Sequence, residues 1–237
     1  MSGVYEQVLG SDFQRLQPEV RDYLSLEPGS GHYGEGTGMF DVAGCPQAWL
    51  RPLLRLSAGE EAFFPEYGLN IPFRIENHAH LDPFGRSSLT ARREIMFPSH
   101  TRIFQDTTSL QTVHGRHRLV DYVGKHRRLV TDLAVEATPD GMLRGVSQAS
   151  RLLAGKLRLP LPGRLDARAY AQQWWDAQTG RHRIQVKVIQ PQLGTVLVYA
   201  GSFDYRLVPY PAHEAAAHGV PGSLPAHAQP QRWEIRV

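Results

Sequence analysis

The sequence predicts a mainly β protein: a strongly curved antiparallel sheet of about nine or ten strands, shaped as a half-barrel or barrel, with short helices near the N-terminus. Three observations carry this. Between Gly141 and Val208 long strand-like runs are opened and joined by turn signals at Thr138–Gly141, Asp176–Gly180 and Gln190–Gly194. Within the runs apolar and polar residues alternate, as Ile184, Val186 and Val188 do with Gln185 and Lys187, the pattern of a half-buried antiparallel strand. Strands do not alternate with helices, which argues against a parallel α/β fold.

Taken in order, Ser11 and Gln14 fit a capping box with Ser11 as N-cap. Phe13, Leu16, Val20 and Leu24 share a helical face that Pro18 interrupts, so two short helices are expected, the second starting at Pro18 and both plugging or flanking the sheet. Glycines at 31, 34, 36 and 38 run into Met39, Phe40 and Val42. A phosphate cradle would lead into a helix, whereas this run continues as a strand, so a bent strand with close backbone approach is expected. Pro46–Ser57 reads as a helix with Trp49, Leu50, Leu53 and Leu54 on its apolar face and a kink at Pro52.

Ile71, Phe73 and Ile75 lead into Asn77–His80, Asp82–Gly85 turns the chain, and Leu89, Ala91, Arg93, Ile95 and Phe97 alternate back as a hairpin. Ile103–Leu110 is a further strand, and Leu129, Leu133 and Val135 open another. After Met142–Arg151, Leu157, Leu159 and Leu161 share one face while Pro160 and Pro162 mark an edge or corner. Leu165–Trp175 extends again. In the last long strand Val196 and Val198 face one way, Leu197 and Tyr199 the other. Residues 1–208 are read as a single β-rich domain. Residues 209–237, rich in Pro, Ala and His, are read as a disordered tail ending in Arg232–Val237, which could dock as an edge strand.

With 237 residues the chain can bury a sizeable core, and its 41% apolar and 21% charged content is ordinary. A net charge of +3, from 26 basic and 23 acidic residues, is too small to argue for nucleic acid. The single cysteine, Cys45, excludes an internal disulfide and favours a reducing compartment. No apolar run suits a spanning helix, and the N-terminus lacks the pattern of a signal peptide, so a cytoplasmic location is expected.

Several stretches then fall in a familiar order. "VYEQVLGSDFQRLQPEVRDYL" precedes the strand of Gly36, Gly38 and Phe40 and a leucine-rich helix. "LTARREIMF", "LRLPLPGRL" and "GRHRIQVKVIQPQLGTVLVYAGSF" come later. In this order and spacing the chain resembles the bacterial domain of unknown function family 4166 over residues 4–208. The resemblance implies no catalytic residue, because the family has no established activity. It does imply association with saccharopine-dehydrogenase-like or short-chain oxidoreductase domains. No dinucleotide-binding half is read in this chain, so that partner would be a separate chain.

The residues themselves favour a binding module for an apolar or lipid-like small molecule in the barrel. A regulatory or interaction domain for a separate oxidoreductase is the alternative, and a barrel isomerase or cyclase the third reading. No G-x-S-x-G elbow or spaced carboxylate pair is present, so no catalytic residue and no cofactor is assigned. Arg93 falls in register with Leu89, Ala91, Ile95 and Phe97, which aims its guanidinium inward. There it must meet an acid such as Glu76, Asp106 or Asp132, or mark the polar end of a cavity. Phe73, Tyr170, Trp174 and Tyr199 join Arg93 as candidate ligand-binding residues. His78 and His80 share a strand face, with Glu94 or His100 as third-ligand candidates, yet no cysteine cluster or H-E-x-x-H supports them and no metal is assigned. Finally, His114–Arg128 is basic. It suggests an anion site at Arg116, Arg118, Arg127 and Arg128, set against the lone acid Asp121.

Overall fold

The computed structural model describes residues 2–56, 58–211 and 222–235. Its strands are β1 (His32–Gly44), β2 (Tyr67–Leu81), β3 (Ser87–Phe97), β4 (His100–Val113), β5 (Arg116–Val123), β6 (Leu129–Ala137), β7 (Leu143–Ala154), β8 (Leu157–Pro160), β9 (Arg168–Asp176), β10 (Arg181–Gln190) and β11 (Gly194–Pro209). They pair antiparallel in the order β6-β5-β4-β3-β2-β1-β11-β10-β9-β7-β8, and β6 also pairs with β7. That last pairing closes a ten-stranded barrel and leaves β8 as an extra strand. Closure removes the open edges that a sheet this long would otherwise expose.

Inward side chains make the core. Phe40, Phe73, Ile75, Ile95, Leu197, Tyr199 and Phe203 belong to one buried cluster. The glycine run explains itself in this setting: Gly34, Gly36 and Gly38 alternate with outward residues and present a bare inward stripe on β1. A Cβ on Gly34 would lie 1.6 Å from the Tyr205 hydroxyl oxygen, and one on Gly38 would lie 2.1 Å from the Ser202 carbonyl oxygen. The stripe thus lets β11 and its aromatic rings cross close to the β1 backbone.

The N-terminal helices plug one end. α1 (Val4–Leu9) and a 3-10 turn (Gly10–Arg15) precede α2 (Pro18–Leu24), which starts at Pro18 as expected. Ser11 is not an N-cap: it lies within the 3-10 turn, because the first helix begins at Val4. Phe13, Leu16, Val20, Tyr23 and Leu24 bury against the main cluster. Val4 and Leu26 pack with Ala79, Leu89, Leu110 and Leu119. Gln17 rivets the plug to β9, its amide accepting from Trp175 N–H at 2.7 Å and donating to Trp175 C=O at 3.2 Å.

At the opposite end the helix expected over Pro46–Ser57 shrinks to a 3-10 turn (Ala48–Leu50) and α3 (Arg51–Leu54). Pro52 sits in its first turn, where a missing N–H costs nothing. Leu50 is buried, but Trp49 and Leu53 are 62% and 58% exposed, so the expected apolar face docks only in part. Phe63 and Phe64 complete this end. Among the described residues, no helix is long and apolar enough to cross a membrane.

Of residues 209–237, read as a disordered tail, 212–221, 236 and 237 lie outside the described residues, and 222–235 lie along the outer wall. Gly222 N–H donates to Leu81 C=O at 2.7 Å, Gln105 Nε2 to Ala228 C=O at 3.1 Å and Gln231 N–H to Lys125 C=O at 2.9 Å. The segment has no periodicity of its own, and the barrel's outward polar groups take up its backbone hydrogen bonds instead.

Candidate functional site

The barrel encloses a cavity of about 400 Å³. Its walls are mostly apolar, with Leu133, Leu143, Ala169, Ala171, Val186 and Leu197 among them. Polar groups gather beneath the plug. Arg93 lies inside as its register requires, and of the three acids considered for it the partner is Asp106, at 3.1 Å. The guanidinium carbon also sits 5.5 Å from the Phe104 ring centre and 6.0 Å from that of Tyr199. Both rings stack against the cation and limit its freedom.

Asp121 joins this group from β5. Asp106 and Thr108 alternate inward on β4, and Thr108 is the register partner of Asp121. The Thr108 hydroxyl donates to Asp121 at 3.3 Å. Burial, and then the Asp106 carboxylate beside it, push the Asp121 carboxyl from the usual 3.8 up to about 8. The group is accessible only through an enclosed, largely apolar cavity, where two neighbouring carboxylates cannot both ionise cheaply. Burial also holds the Tyr199 hydroxyl up to about 12 and raises Tyr5 and Tyr23. At neutral pH the inner end therefore presents a fixed cation, a protonated carboxyl and hydroxyl donors.

This arrangement sets a pH dependence. The native state holds a proton on Asp121 that the unfolded chain releases near its ordinary value. The proton's contribution to stability is complete below that value and is lost as pH rises to about 8. Chemical denaturation across this window should show stability falling with pH, and Asp121→Asn should flatten the slope. A parent slope unchanged in the variant would exclude Asp121 as its source.

The cavity reaches the surface at the opposite end, where the barrel seam opens. β7 pairs with β9 only over Leu143–Val146 and with β8 over Arg151–Ala154. Between these stretches side chains replace ladder bonds: the Ser147 hydroxyl accepts from Ala169 N–H at 2.8 Å, and Asp166 accepts from Ser150 N–H at 3.1 Å. Leu152, Leu161 and Leu165 line the gap, with Leu152 40% and Leu165 60% exposed. The leucine-proline stretch thus forms the rim of a mouth.

The other sequence candidates separate. Tyr199 lines the cavity with Arg93. Phe73 is buried in the core, its ring centre 3.7 Å from that of Phe40, and is not part of the lining. Tyr170 is 44% exposed and Trp174 shares its outward face; the inward residue is Trp175, which packs edge-on against His182 at 5.1 Å. The four arginines do not form one patch. Arg116 is exposed, Arg118 donates to Gln111, and Arg128 pairs with Glu60 at 3.0 Å. Arg127 is 1% exposed, sandwiched 4.4 Å from the Trp233 ring centre and 5.3 Å from that of Tyr122. No free anion reaches it.

His78 and His80 do not converge with Glu94 or His100: Glu94 pairs with Arg92, and His100 with Glu66. His80 turns to Thr90, while His78 faces Glu76. Asp121 was legible only as the lone acid of a basic run. Its parity with Leu119 and Val123 was the signal that it points inward.

Comparison with known proteins adds a family. The profile described as "Domain of unknown function (DUF4166)" matches residues 16–203. That span contains Tyr23, Arg93, Asp106, Asp121 and Tyr199, but not Tyr5 or the C-terminal segment. The uncharacterized protein YndH of Bacillus subtilis (strain 168) is 29% identical over 204 residues, covering 86% of this chain and 97% of that protein. No solved structure matches significantly.

Proposed function

The chain belongs to the DUF4166 family, and from that premise we propose that it is a binding module for an apolar or lipid-like small molecule carrying one polar group. The observation that supports this reading is the mostly apolar cavity of about 400 Å³, with Arg93, Asp106 and Asp121 at its inner end. The volume is in the range of small-molecule sites, and few polar groups in an apolar cleft are what orient such ligands. The ligand would enter past Leu152, Leu161 and Leu165. Its polar group, a carbonyl, hydroxyl or carboxylate, would accept from the Arg93 guanidinium or the protonated Asp121.

Native mass spectrometry of the protein after exposure to a lipid extract tests this. A retained adduct is expected, and it should disappear in Ala171→Trp, which fills the cavity. No adduct from any extract, or one that Ala171→Trp retains, would overturn the proposal.

A second reading, a barrel isomerase or cyclase, draws on one observation. The raised Asp121 carboxyl lies close to a second carboxyl, Asp106, in a mostly apolar cavity, an arrangement that suits proton transfer. Turnover of a bound ligand that Asp121→Asn abolishes without loss of binding would favour it.

A further inference from the structure

We propose that Glu76, His78 and His227 form a divalent-metal site, of the class that takes zinc, on the outer wall of the barrel. One ligand atom from each lies within 4.8 Å of the other two. Glu76 Oε2 is 3.4 Å from His78 Nε2 and 2.6 Å from His227 Nε2. Ligand atoms around a tetrahedral zinc stand about 3.3 Å apart, given metal–ligand distances near 2.0–2.1 Å. The Glu76–His78 edge already fits. The His227 edge must open by under ~1 Å, and His227, whose side chain is half exposed, can make that movement.

What surrounds the three ligands strengthens the case. The remaining donor atoms of the two buried ligands are engaged elsewhere, as in metal sites whose ligands are oriented from behind. His78 Nδ1 is 2.7 Å from the Tyr210 hydroxyl, which fixes the ring with Nε2 facing Glu76. The Tyr33 ring stacks on His78 at 5.4 Å. Glu76 Oε1 is held by Arg74 at 2.8 Å, and Arg74 also binds Glu35 at 2.7 Å. This leaves Oε2 for the two imidazoles. Two histidines and one carboxylate match zinc's preference for nitrogen and oxygen, and the exposed side of His227 leaves a fourth position open to water.

The site would join two separate parts of the chain. Glu76 and His78 stand on β2, inside the stretch that the family profile matches, whereas His227 belongs to the C-terminal segment beyond it. A metal there would clip that segment to the barrel. It is independent of the interior cavity, because Glu76 and His78 face outward from β2 while Asn77 faces in.

Tag-free full-length protein, stripped with a chelator, would be titrated with Co²⁺ and then Zn²⁺. The expected result is about one equivalent of cobalt with the visible absorption of a low-coordinate site, displaced by zinc. Affinity should fall at least tenfold in His227→Ala, whose exposed position leaves the barrel intact. Zinc should raise the melting temperature of the parent but not of that variant. His78→Gln should behave likewise, and circular dichroism would confirm that both variants are folded. No cobalt spectrum, or binding equal in parent and His227→Ala, would overturn the site and leave a hydrogen-bonded Glu-His-His cluster.

Discussion

Replacing Arg93 with methionine is expected to destabilise the protein by about 3–5 kcal/mol, the usual cost of removing one partner from a buried ion pair. Methionine keeps most of the volume, so the loss reports charge rather than a cavity. Arg93 is 8% exposed, and its guanidinium is the cation beside Asp106 and Asp121. Without it Asp106 loses its ion-pair partner, while Asp121 beside it already holds a proton. The deficit should therefore shrink as pH falls, because protonation removes the charge left unpaired. Urea denaturation at several pH values measures it. Asp106→Asn in the same chain should restore part of the loss, since it removes the stranded charge. A loss below ~1 kcal/mol at neutral pH would mean that water in the cavity solvates the pair, contrary to the buried ion-pair expectation.

Gly38→Ala is expected to cost more than ~4 kcal/mol, enough to leave little folded protein. The added Cβ would sit 2.1 Å from the Ser202 carbonyl oxygen, 2.6 Å from the Phe203 Cβ and 2.8 Å from its Cα. None of these atoms can rotate away, so β1 and β11 would have to part where Gly38 pairs with Phe203. Gly145→Ala is the control. Its Cβ would meet nothing nearer than 3.7 Å, so it should change stability by under ~0.5 kcal/mol. Equal effects from the two substitutions would refute the steric explanation and point to a general intolerance of any side chain at inward glycines.

Much of the barrel could be read from alternation alone, because burial on one side of a strand imposes a period of two. That period identified the hairpin of β2 and β3, the strands β10 and β11 and the inward aim of Arg93. Charge density was a poorer guide. The basic run of residues 114–128 looked uniform, yet a strand and a tight turn distribute it. Arg127, with a left-handed backbone at φ 54°, goes beneath Trp233 while Arg128 turns out to Glu60. The Tyr170 and Trp174 candidates failed on parity: residues that share a face share it wherever it points, and Ala169, Ala171 and Gln173 occupy the inner one.

What this sequence determined by itself was local: which segments extend, which residues share a face, and where turns fall, since each follows from neighbours a few positions apart. Tertiary structure decided which distant segments meet. β6 closes onto β7, β1 pairs with β11, and β7 divides its edge between β8 and β9, opening the mouth. Asp121 holds its proton because the closed barrel buries it and β4 brings Asp106 alongside, and His227 reaches Glu76 across 151 residues of chain. No local pattern encodes such meetings. They follow from the closure that pairs β6 with β7 and from the outer wall that supplies hydrogen bonds to the C-terminal segment.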